Sequence, residues 1–193
     1  MISKKAIFSV SFIGIIVLLL FNSAPAARES GAPFPTFGTG SLEVRLYTDY
    51  FCPPCRALEP EVEPVLKSLL KKKAIRLTLV DVPYNQNSPL YARYFLYSLA
   101  KSRDVEHAIH VRNILFASAA KKDANGKEQI EALLKSKGIA YEALDTKTAF
   151  SRYNALIQED RIDATPTCVI LRGDKREKYV GRPDIVSALK KLQ

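Results

Sequence analysis

The stretch Leu42-Glu43-Val44-Arg45-Leu46-Tyr47-Thr48-Asp49-Tyr50-Phe51-Cys52-Pro53-Pro54-Cys55-Arg56 decides how this chain of 193 residues is read. Leu42, Val44 and Leu46 alternate with Glu43 and Arg45, the period of a strand. The run from Arg56 to Leu70 has helical character, with Pro60 and Pro64 expected to kink it. Cys52 and Cys55 therefore lie where a strand hands over to a helix. Two cysteines separated by two residues form a reversible dithiol/disulfide pair, and a helix N-terminus favours the thiolate of the first. That thiolate is the nucleophile of disulfide exchange, and the second cysteine is near enough to release a mixed disulfide. The competing reading is a structural disulfide. A four-residue loop, however, gains little chain-entropy stabilisation. Cys52 is thus assigned as nucleophile and Cys55 as the resolving thiol.

Upstream of this stretch, Lys4 and Lys5 precede an apolar run from Ala6 to Phe21, and Ala24-Pro25-Ala26 follows as a small-x-small site. That order predicts a secretory signal over residues 1–26, with an uncleaved membrane anchor as the alternative. Either way the domain is expected outside the cytoplasm, in a periplasmic or other extracytoplasmic space, where disulfide chemistry is allowed. Residues 27–40, rich in Pro, Gly and Ala, read as a flexible tether to a domain over 41–193. Net charge is +9, and +7 without Lys4 and Lys5. The basic residues are dispersed and accompany no nucleic-acid motif, so a solvated surface is expected and nucleic acid is not a partner.

Downstream, Ile75 to Val80 alternates as a second strand. Four helical patterns follow: Tyr91, Tyr94, Phe95 and Leu99; Val105, Ala108, Val111 and Leu115; Ile130, Leu133 and Leu134, ended by Gly138; then Ala149, Phe150, Tyr153, Leu156 and Ile157. Strand character returns at Thr167 to Leu171, turns at Gly173-Asp174 and resumes at Glu177 to Val180. Pro183 starts a last helix with Ile185, Val186, Leu189 and Leu192 facing inward. The aromatic face of Tyr91, Tyr94 and Phe95 suits the core, the alternative being a groove for unfolded substrates.

The order strand, CxxC helix, strand, helical block, two hairpin strands and helix is an α/β thioredoxin-type layout. In detail the chain resembles the DsbA-like thiol-disulfide oxidoreductases of the thioredoxin superfamily. Asp49 to Arg56 is similar to that family's active-site segment, Thr165-Pro166-Thr167 to its cis-proline loop, and the helical stretch of about 88–161 to its inserted all-helical subdomain. The resemblance implies a cis peptide bond before Pro166. Thr165 would then lie beside Cys52, free to pair with an extended substrate segment. It implies cysteine-containing protein substrates and a membrane redox partner, either a quinone-linked oxidase or a transmembrane electron donor.

Pro53 and Pro54 are the redox-tuning residues. Both lack a backbone N–H, so two early helix donors to the Cys52 thiolate are missing, and no histidine lies between the cysteines. A less stabilised thiolate makes a weaker oxidant. The chain departs from the family at Leu46, where thioredoxins carry a buried acid. Asp49 is the substitute considered for taking the Cys55 proton, or it only caps its loop. Cys168 reads as a buried small hydrophobe rather than a regulatory thiol. His107 and His110, three apart on a helix, read as surface residues rather than metal ligands. No signal for an organic cofactor is present, and a monomer is expected. The alternative function is copper handling through the two thiolates, although the single methionine is Met1 and no His-rich segment accompanies the pair.

Overall fold

The computed structural model describes residues 33–193, so the expected signal or anchor over 1–26 lies outside the described residues. Strands β1 (Thr36–Phe37), β2 (Leu42–Thr48), β3 (Ile75–Asp81), β4 (Thr167–Arg172) and β5 (Lys175–Val180) form one sheet in the order β1-β3-β2-β4-β5. β2 and β3 are parallel, and the other pairings are antiparallel. Six helices flank them: α1 (Pro53–Lys71), α2 (Ser88–Leu99), α3 (Val105–Lys121), α4 (Lys127–Ser136), α5 (Lys147–Glu159) and α6 (Arg182–Lys190). A parallel pair needs a crossover connection, and α1 supplies it between β2 and β3.

The period of two sorts the sheet's side chains. Val44, Leu46, Leu77, Leu79, Cys168 and Ile170 join α1, α6, α2 and α3 in one buried cluster. Tyr47, Val80 and Val169, one residue out of phase, pack with Ala149 and Tyr153 of α5 in a second. The helices between β3 and β4 thus share cores with the sheet. Tyr91, Tyr94 and Phe95 of α2 are buried in the first cluster, as core residues. α1 runs through both Pro60 and Pro64 as one element.

The sheet begins inside the stretch expected to be a tether. Thr36 and Phe37, placed in it by composition, pair with Thr78 and Leu77 of β3, and Phe37 is buried. The Pro35 carbonyl accepts from Leu79 N at 3.0 Å. Gly38 has a φ of 80°, and a Cβ there would lie 2.6 Å from the Ile75 carbonyl oxygen. Glycine here serves a close backbone approach, not looseness.

Candidate active site

Cys52 is the N-cap of α1, with extended dihedrals (φ −85°, ψ 112°) and Pro53 and Pro54 in the first two helical positions. Proline suits the helix start because its absent N–H has no intrahelical partner there. The first free amide is that of Cys55, which donates to Cys52 Sγ at 3.3 Å. Both cysteines are free thiols; Cys52 is half-buried and Cys55 fully buried. The Thr165–Pro166 peptide bond is cis, and Cys52 Sγ donates to the Thr165 carbonyl at 3.4 Å. The two segments, 113 residues apart, thus meet at the sulfur.

The two thiols shift in opposite directions. Cys52 is pulled down from 9.0 to about 6, first by the Cys55 thiol as donor, then against burial by the Thr165 side chain and the Cys55 amide; the Asp49 charge opposes it. Cys55 is pushed up, because its proton is shared with the Cys52 sulfur and because it is buried. One proton between two sulfurs makes the exposed one a nucleophile near neutral pH and keeps the buried one protonated. The N–H groups removed by Pro53 and Pro54 are therefore replaced, in part, by donors from Cys55.

Asp49 is the loop cap of the two roles considered. Its Oδ1 accepts from Phe51 N at 2.7 Å, and its Oδ2 accepts from Tyr84 N at 3.0 Å, Asn85 N at 3.3 Å and Ser88 Oγ at 2.5 Å. Four donors occupy this buried carboxylate and lock the Cys52 turn to the start of α2. Cys168 lies at 0% exposure on β4, its thiol pushed up to about 12 by burial. His107 and His110 lie on α3, and no group of three His, Cys, Asp or Glu side chains able to hold a metal occurs among the described residues.

Sequence reasoning missed a buried ion cluster behind the dithiol. Arg112 of α3 donates to Glu59 of α1 at 2.7 Å, to Asp81 at the end of β3 at 3.0 Å and to Thr48 Oγ1 at 2.7 Å. Tyr50 Oη donates to the second Asp81 oxygen at 3.3 Å, and the guanidinium lies over the Tyr50, Phe95 and Phe116 rings. Glu59 stands four residues after Cys55, on the same face of α1. The available signal was Arg112 at helical spacing from buried Ala108 and Phe116.

Comparison with known proteins agrees with this geometry. A family model described as thioredoxin matches residues 40–191. The thiol:disulfide interchange protein DsbA of Bordetella parapertussis is 24% identical over 163 residues, covering 76% of this chain and 75% of its own length. Among solved structures, a periplasmic thioredoxin-like protein from Salmonella enterica serovar Typhimurium aligns with a TM-score of 0.59 at 22% identity, over 82% of this chain and 90% of that one. ScsC of Proteus mirabilis aligns at 0.62 and 20% identity, over 82% of this chain and 70% of its own.

Proposed function

The chain belongs to the thioredoxin family, and from that premise we propose that it is an extracytoplasmic protein thiol–disulfide oxidoreductase working through Cys52. The observation that carries this is the Cys52 sulfur, half-exposed at a helix N-cap, 3.3 Å from the Cys55 amide and 3.4 Å from the Thr165 carbonyl. In the reducing direction the Cys52 thiolate attacks a substrate disulfide. A Cys52–substrate bond forms, and the first substrate sulfur leaves as a thiolate that takes a proton. Cys55 then loses its proton and attacks Cys52, releasing the second substrate thiol. Two electrons and two protons pass to the substrate, and the Cys52–Cys55 disulfide remains. The oxidising direction is the reverse. Thr165 and Pro166 hold the substrate backbone, and a membrane redox partner resets the dithiol.

The thiol at about 6 lies between thioredoxin, at about 7, and the strong oxidant DsbA, at about 3.5. It is nearer the value of thioredoxin, whose potential is about −270 mV, than that of DsbA, at about −120 mV. That favours a reductase or isomerase role over an oxidase. Equilibration of the purified protein with graded glutathione buffers tests the direction, and a potential near −120 mV would overturn it. The Cys55→Ser variant tests the chemistry: it accumulates mixed disulfides with cysteine peptides, and Cys52→Ser does not.

A further inference from the structure

Two large apolar side chains are exposed among the described residues, Tyr84 at 56% and Val180 at 45%. Both belong to segments that adjoin the Cys52–Thr165 contact. Val180 pairs in register with Thr167, and the next amide, Gly181 N, donates to the Pro166 carbonyl at 2.9 Å. Tyr84 approaches from the other loop. Its amide donates to Asp49 Oδ2 at 3.0 Å, and the Asp49 carbonyl accepts from Cys52 N at 3.1 Å. Tyr84 is therefore one hydrogen-bonded residue removed from the nucleophile. The loop carrying it is fixed at both ends: Val82 N donates to the Thr48 carbonyl at 2.8 Å, and Ser88 N to the Asn85 carbonyl at 3.0 Å. A ring on so firmly held a backbone is displayed, not merely left outside.

Its electrical setting is specific. Beyond partial burial, the charges that push the Tyr84 hydroxyl up are Asp163 and Asp49. Asp163 is exposed and stands two residues before Thr165. Tyr84 and Asp163 thus each adjoin the Cys52–Thr165 contact, one as an exposed aromatic face and the other as an exposed carboxylate, and both kinds of group attract an ammonium or guanidinium.

We propose that Tyr84 and Asp163 select substrate cysteines flanked by a lysine or arginine. This rests on the oxidoreductase reading above. A substrate strand lying along Thr165 presents the residues next to its cysteine to these two side chains. Tyr84 supplies the face and Asp163 the charge, each of a strength typical for exposed partners.

The test uses the full protein and three short peptides with the cysteine as a glutathione mixed disulfide, flanked by Arg, Ala or Glu. Exchange rates are followed at low salt. The expected order is Arg, then Ala, then Glu, with about tenfold between the extremes. Tyr84→Ala and Asp163→Asn each reduce that ratio by about threefold, and both together bring it near one. Alkylation of Cys52 by neutral iodoacetamide in each variant reports whether the thiolate is still reactive, since it does not depend on recognising a cation. Equal rates on the three peptides, a preference for Glu, or an Arg preference intact in the double variant would overturn the proposal. Failure of every peptide to exchange, with no reactive Cys52 thiolate, would instead overturn the oxidoreductase reading.

Discussion

Two buried ion clusters brace this fold, and they differ in charge parity. Around Arg112, one cation faces two carboxylates, Glu59 and Asp81, all at 7% exposure or less. Around Asp160, at the end of α5, three arginines (Arg45, Arg76 and Arg176) meet three carboxylates (Glu43, Glu159 and Asp160) in a chain that reaches the surface. Tyr47 Oη also donates to Asp160. The balanced cluster has a partner for every charge. The unbalanced one carries an excess negative charge in the interior, and burial pushes the Asp81 carboxyl up to about 6 despite the neighbouring guanidinium. Charge parity decides whether a buried cluster must titrate.

The largest expected effect comes from removing the lone cation. Arg112→Met leaves two carboxylates buried without a counter-charge and should cost about 3–5 kcal/mol in urea unfolding at pH 7. A loss below about 1 kcal/mol would mean that Glu59 and Asp81 reach water, and the contrast would fail.

The next concerns pH. Asp81 has a folded value near 6 against an ordinary 3.8, so the folded state favours its protonated form. Its contribution is complete below about 3.8 and is lost as pH rises through about 6, a swing of roughly 3 kcal/mol. The stability of Asp81→Asn relative to the parent should therefore improve by about that amount between pH 4 and pH 8. Parallel unfolding curves would show that another group holds the proton.

Asp160→Asn sits lower on the scale. Arg45 keeps Glu43 and Glu159, and Arg176 keeps Glu159, so a loss of about 1–2 kcal/mol in thermal unfolding is expected. A loss as large as that of Arg112→Met would equate the two clusters. Smallest is Arg176→Ala at the open end, where a half-exposed pair is worth under about 1 kcal/mol.

The legible and illegible parts of the molecule divide along the same line. Strands β2, β3 and β4 and helices α1 to α6 could be read because alternation and helical spacing are local signals. Cys52 and Cys55 could be read because four residues contain both thiols and their helix cap. Thr165 and Pro166 needed a resemblance, since nothing local ties them to a sulfur 113 residues away. The Arg112 cluster was invisible for a related reason: its carboxylates lie 53 and 31 residues off, on two different elements. Charged residues at buried helical spacing are ambiguous until the partner elements are known. The strand at Thr36 and Phe37 is hidden because two ladder residues are too few to show a period. The donors that Pro53 and Pro54 lack are visible in the sequence, while the donors supplied by Cys55 depend on where its side chain packs.

One further property follows from the outer strand. β5 ends the sheet, and its sequence Lys175-Arg176-Glu177-Lys178-Tyr179-Val180 sets three exposed basic side chains along the open row of amides and carbonyls. Any β-prone segment can add to a free edge strand. Lysine and arginine in that row make such addition costly, since a joining strand must bring its backbone among solvated cations. At the opposite border, β1 offers only two residues. The sheet thus discourages templated growth at both borders, and the Cys52–Thr165 contact lies away from either open row.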